Sequence, residues 1–129
     1  MKKRLIAVIL VLFMVMAMPI SSGAAVLWTY TAACNPGLSF TGNTANCSLY
    51  VQACSSSSSI SAEVYLFRVS GPWEIYVASW YDLGATGIMN WSDTCAATVS
   101  GTYRLYAYVT VTATGGSDYI TRIATAVKS

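Results

Sequence analysis

The chain contains no histidine. That absence removes Ser-His and Cys-His nucleophile pairs and the commonest metal ligand. Cysteine spacing argues against zinc as well, because Cys34, Cys47, Cys54 and Cys95 include no Cys-x-x-Cys pair. No metal, no cofactor and no enzymatic activity are expected. Charge is almost as scarce, at 9% of residues, and beyond the first four positions there is no cluster of Lys and Arg. A nucleic-acid or anionic-membrane partner needs such a cluster, so neither is expected. Proline is limited to three residues, and past the first segment no window carries the 3.6-residue apolar period of a helix.

The first segment differs in kind from the rest. Met1-Lys2-Lys3-Arg4 precedes an unbroken apolar run from Leu5 to Met18, followed by Pro19 and the small residues Ser21 to Ala25. A charged start, a short apolar run and a small-residue exit describe a secretory signal peptide. The run is also short of the roughly 20 apolar residues a membrane span requires. Cleavage fits after Ala24 or after Ala25, and Ala25 is preferred. Residues 1–25 then form the signal, residues 26–129 a single secreted domain, and the membrane is met only through the signal. With Lys2, Lys3 and Arg4 gone, four of the seven basic residues remain against five acidic ones, so the basic character belongs to the precursor. All four cysteines lie past the signal, and an even count in an exported chain predicts two disulfides. A lipid on Cys34, after Thr31-Ala32-Ala33, is the weaker reading, because Trp28 and Tyr30 separate that cysteine from the apolar run.

The remainder alternates. Gly101 to Val111 is the most strongly patterned stretch, with Tyr103, Leu105, Ala107, Val109 and Val111 on one parity and Thr102, Arg104, Tyr106, Tyr108 and Thr110 on the other. It predicts a central strand with one buried face. Val26 to Ala33 suggests an edge strand or tail, and Asn35-Pro36-Gly37 a turn. Leu38 to Phe40 and Ala45 to Ala53 form a hairpin about Thr41-Gly42-Asn43-Thr44. Ser55 to Ser59, five consecutive serines, predicts an exposed loop. Ile60 to Val69 and Trp73 to Tyr81 are strands about Ser70-Gly71-Pro72, the second closed by Asp82 to Gly87. Ile88 to Val99 is a strand bent around Ser92-Asp93. Thr114 to Ser117 turns the chain into a last strand, Asp118 to Val127. Some seven short strands between turn signals predict an all-β, two-sheet antiparallel sandwich.

Val99-Ser100-Gly101-Thr102-Tyr103-Arg104-Leu105 resembles the corner before the penultimate strand of immunoglobulin-like domains. That resemblance implies a structural role for Tyr103, whose hydroxyl would bond back to upstream backbone. Leu105 stands where such domains carry the second sheet-bridging cysteine, so their usual disulfide is absent. The Thr-rich Gly-x-Tyr-Arg-Leu strand, the tryptophan-bearing middle and the glycine-containing final hairpin are also similar to uncharacterised small secreted β-sandwich proteins of Gram-positive bacteria, a likeness that implies no activity. In a sandwich of this order the strand from Ala45 lies antiparallel to the one from Ile88, which would pair Cys47 with Cys95. The preceding segment would bring Cys34 to Cys54.

Among charged residues, Glu63 and Glu74 are expected on neighbouring strands with Glu74 facing the neighbourhood of Phe67. That puts them roughly 13 Å apart at the usual strand rise, too far for a glycosidase pair. Asp82, Asp93 and Asp118 are expected to shape turns. Aromatics exceed what one small core can hold, and Tyr76, Trp80, Tyr106 and Tyr108 are the candidates for an outward face that contacts a glycan or a protein partner. The oligomeric state is left open. A secreted binding or surface-interaction module is the reading these residues favour. The alternative is a membrane-active, bacteriocin-like protein, from the alternation of Val109 to Thr114 into a glycine turn, which a pore-forming hairpin shares.

Overall fold

The computed structural model describes residues 28–129, so the expected signal peptide lies outside the described residues. Among those described there are seven strands and no helix: β1 (Thr31–Thr41), β2 (Thr44–Ala53), β3 (Ser59–Ser70), β4 (Trp73–Thr86), β5 (Ile88–Ala96), β6 (Gly101–Ala113) and β7 (Gly116–Lys128). Three hairpins arise from local chemistry. The two-residue links Gly42-Asn43 and Gly71-Pro72 begin with glycines at φ 58° and 59°, the left-handed backbone that tight hairpin loops need and that glycine adopts without a Cβ penalty. Thr114-Gly115 makes the third link, between β6 and β7.

The strands form two antiparallel sheets, ordered β1-β2-β5 and β4-β3-β6-β7. Each hairpin stays within one sheet, while the β2–β3, β4–β5 and β5–β6 connections cross between sheets. This is an immunoglobulin-like Greek-key sandwich with β4 added to the sheet of β3, β6 and β7. Alternation decides which side chains meet between the sheets. β2 contributes Ala45, Cys47, Leu49, Val51 and Ala53, β3 contributes Ile60, Ala62, Val64 and Leu66, and β6 contributes Tyr103, Leu105, Ala107, Val109 and Val111. All of these are buried, so the parity of β6 is the one its sequence predicts. β1 packs toward β6 and β7, and β4 toward β5, closing the two flanks.

Tyr103 forms the expected corner. Its hydroxyl donates to the Val99 carbonyl at 2.6 Å, and its ring packs on Phe40 with centroids 5.0 Å apart. Four local expectations need correcting. Asn35-Pro36-Gly37 is no turn, since β1 runs straight through it with Pro36 opposite Leu49. An edge strand tolerates proline because its ladder on one side is empty. The strand from Trp73 does not stop at Tyr81 but continues to Thr86, and register shifts at Ala62/Val64 and Leu66/Phe67 absorb the extra residues. β5 pairs with β2 in unbroken register from Ile88 to Ala96, without a bend at Ser92-Asp93. In the serine loop, Ser58 is buried, and its carbonyl accepts the Gly87 N–H at 2.8 Å, tying the loop to the β4–β5 link.

Candidate functional site

On the outer side of the four-stranded sheet the alternation that fills the core leaves a second set of rings. Tyr65 and Phe67 of β3 stand opposite the core parity of Val64 and Leu66, and Tyr106 and Tyr108 opposite that of Leu105 and Ala107. Cross-strand register pairs Tyr65 with Tyr106 and Glu63 with Tyr108. Tyr65, Phe67 and Tyr106 are buried, with Tyr108 and Ile123 against them. The rings meet mainly edge to face: Phe67 with Tyr106 at 5.5 Å, Phe67 with Tyr76 at 6.2 Å, and Tyr65 with both Tyr81 and Tyr108 at 5.6 Å. This is the arrangement the aromatic quadrupole favours.

Two carboxylates pin the layer. The Tyr106 hydroxyl reaches across β3 to Glu74, lying 2.8 and 2.6 Å from its two oxygens, and Arg104 pairs with the same carboxylate at 3.3 Å. The Tyr65 hydroxyl donates to Glu63 Oε2 at 2.9 Å. Burial raises the pKa of Tyr106 above the ordinary phenol value, and Glu74 adds to the shift. Burial and then Glu63 do the same for Tyr65, and burial with Glu74 and Glu63 for Tyr108. All three phenols therefore stay neutral across the physiological range. Glu74 faces Val69 rather than the neighbourhood of Phe67. Along β3 its register position is six residues from Glu63, roughly 20 Å of backbone at the usual rise.

The four residues expected to contact a partner do not share one surface. Tyr76 is half-exposed on the outer face. Tyr108 lies on the same face, partly buried, and its hydroxyl is enclosed without a hydrogen-bond partner. Tyr106 is fully buried, so it supports the layer and offers no contact. Trp80 points the other way: it packs against the core and against Trp91, and its Nε1–H donates to Asp93 at 2.9 Å. The single register shift at Leu66/Phe67, which falls between Tyr76 and Ala78 on β4, sets Tyr76 and Trp80 on opposite faces although they are an even number of residues apart. The exposed rings that parity does not single out are Trp73, Tyr81 and Tyr119.

The aspartates are more specific than turn formers. Asp118 accepts the Tyr30 N–H and the Thr31 hydroxyl, both at 2.8 Å, and the Thr29 N–H at 3.3 Å, holding the entering chain to β7. Asp93 fixes Trp80. Asp82 alone adopts a positive φ, 57°, where β4 bulges.

All four cysteines are free thiols in the structure. Cys34 is buried opposite Val51, while Cys54 lies just past the end of β2 and is exposed. The two cysteines expected to pair are thus both free in the structure, one buried and one exposed. Cys47 and Cys95 do meet: Cys95 sits opposite Ala45, diagonal to Cys47, and the two thiols are within hydrogen-bonding contact. Burial, with Cys95 and Asp93 adding, pushes the Cys47 thiol up to about 12. Burial takes Cys34 to about 11 against the opposing pull of Arg122.

No group of three or more His, Cys, Asp or Glu side chains that could hold a metal occurs among the described residues. Comparison with protein-family models, with curated proteins and with solved structures finds no match for this chain.

Proposed function

We propose that the chain is a secreted, non-enzymatic binding or surface-interaction module that engages a glycan or a protein partner on the outer face of the four-stranded sheet. The observation that supports this reading is the aromatic layer itself. Its inner rings are locked by edge contacts and by hydrogen bonds to Glu63 and Glu74, while Tyr76, Tyr81 and Tyr119 stand exposed around it. Tyrosines presented on a rigid sheet offer flat apolar contact with a polar tip and lose little rotamer freedom on binding.

The same reading includes a disulfide between Cys47 and Cys95, formed on export where thiols oxidise. It would close a loop of nearly fifty residues, for which chain entropy gives about 4 kcal/mol. Unreduced peptide mapping of protein recovered from culture medium tests both points, the expected result being a chain that begins at Val26 with Cys47 joined to Cys95.

The functional test is co-sedimentation with insoluble cell-wall polysaccharide, together with a glycan array and a screen of cell-surface proteins. Saturable binding that Tyr76→Ala plus Tyr119→Ala weakens tenfold or more supports the module. Absence of binding throughout, or dye release from anionic vesicles in its place, overturns it. Dye release would favour the membrane-active alternative.

A further inference from the structure

At the end of the aromatic face opposite Glu74, the strands enclose a groove of about 420 Å3 whose lining includes Glu63, Asp82, Tyr108, Thr110, Tyr119 and Thr121. Its chemistry is one-sided. Two carboxylates line it and no basic residue does. The basic side chains past residue 27 are placed elsewhere: Arg104 pairs with Glu74, Arg122 lies 5.6 Å over the Trp28 ring, and Lys128 donates to the Ser129 carbonyl. Arg68 sits opposite Ile75, toward the other end of β3.

The carboxylates are also available. Tyr65 occupies only Oε2 of Glu63, and among the described residues Asp82 makes no hydrogen bond or ion pair. Both lie beside the Ala62–Leu83 pair, where the β3–β4 register shifts and Asp82 takes its positive φ. One further feature stands at the edge of the groove. Tyr119 is the most exposed large hydrophobic side chain among the described residues, at 81%, and a ring so placed at the edge of an acidic groove attracts a cation to its face.

We propose that this groove binds an amino sugar carrying a free primary ammonium group, as part of a glycan. The inference rests on the preceding reading of the outer face as a binding surface and names the ligand class. The ammonium group sits between Glu63 and Asp82 beside the Tyr119 ring. Sugar hydroxyls bond to Thr110 and Thr121. A sugar fits better than a lysine side chain, because lysine presents an alkyl stem below its ammonium whereas this wall carries hydroxyls from Ser61, Thr110 and Thr121. N-acetylation would abolish the charge and leave both carboxylates unpaired.

Calorimetric titration decides the matter, with the secreted domain against a fully deacetylated β-1,4-glucosamine hexamer, its fully N-acetylated counterpart and a lysine-rich peptide. The expected result is at least tenfold tighter binding of the glucosamine hexamer than of the acetylated one. That preference should shrink as salt rises and disappear in the double variant Glu63→Gln with Asp82→Asn. Tyr119→Ala, at an exposed position where folding is not at risk, should weaken the same hexamer several-fold. Equal binding of both hexamers overturns the amino-sugar assignment and leaves the outer face as a glycan-binding surface. Tighter binding of the peptide also overturns it, in favour of a protein partner. Binding of none of the three, with no other ligand found on the face, removes both readings.

Discussion

Trp80 on β4 and Trp91 on β5 meet edge to face across one flank of the sandwich, their ring centroids 5.2 Å apart and their planes at 64°. The two strands belong to different sheets, and Asp93, two residues beyond Trp91, accepts the Trp80 N–H. The pair is therefore a clasp between the sheets. Such ring pairs contribute about 0.5–1.5 kcal/mol beyond the area they bury. A double-mutant cycle with Trp80→Leu and Trp91→Leu should return a coupling of about 1 kcal/mol by urea denaturation. Either single variant should remove the exciton couplet of the two indoles from the circular dichroism spectrum. Strict additivity of the two substitutions would refute the clasp.

Tyr103→Phe isolates the corner hydrogen bond, because the ring and its packing on Phe40 remain. The Val99 carbonyl would lose its donor, at a cost of about 1–2 kcal/mol. For a domain of this size that lowers the melting temperature by roughly 4–16 °C. A melting temperature unchanged from that of the parent would show that the bond serves only local geometry.

Alkali should unfold the domain through three phenols. Tyr65, Tyr106 and Tyr108 have folded pKa values raised above the unfolded value, chiefly by burial. A group shifted upward contributes stability that is complete below its unfolded value, about 10, and is lost as pH rises toward its folded one. Stability should thus be flat with respect to these groups between pH 7 and 9. Above pH 10 it should fall by up to about 1.4 kcal/mol per unit for each phenol. Absorbance at 295 nm should show the phenols of Tyr65, Tyr106 and Tyr108 resisting ionisation until the near-ultraviolet dichroism collapses. Ionisation of every tyrosine near pH 10 with the fold intact would contradict this.

Two glycines with similar backbone angles should respond differently to alanine. At Gly42, φ 58°, an added Cβ meets nothing within 4 Å, so only the left-handed backbone is strained, by about 1–2 kcal/mol. At Gly87, φ 77°, it would lie 2.8 Å from the Ser56 carbonyl oxygen and 3.1 Å from the Ser56 Cα. Backbone there has to move, and Gly87 also bonds to Ser58 and Ala53. Gly87→Ala should cost at least 1 kcal/mol more than Gly42→Ala in urea denaturation. Equal losses would show that the serine loop yields freely.

The sandwich is legible in the sequence because its central strands obey a single rule. From Ala45 to Ala53 in β2, Ile60 to Leu66 in β3 and Tyr103 to Val111 in β6, every second residue is apolar and buried. The edges are harder to read, because proline and glycine carry the same local signal in a turn as in an edge strand, and only the partner strand shows that Pro36 pairs with Leu49. Parity also assigns a face without saying what covers it. Tyr106 and Tyr108 do point the same way, yet neighbours on β3 and β4 bury Tyr106. Trp80 and Cys54 mark two further limits. The register shift at Leu66/Phe67 changes the phase of alternation after Tyr76, and Cys54 lies past the end of β2, where strand pairing no longer sets its position. The groove formed by Glu63 and Asp82 depends on a bulge, and nothing in the residue order announces one.

The edge formed by β4 has a final consequence. An outermost strand presents free N–H and C=O groups on which a stray strand can add, the usual beginning of sheet aggregation. β4 is the most aromatic of the exposed edges, yet its two register shifts and the left-handed backbone at Asp82 break that row into short, misaligned pieces. A second chain cannot zip along it. The irregularities that misplace Trp80 relative to a simple strand thus let the protein display tyrosine and tryptophan to its surroundings while denying them a backbone template.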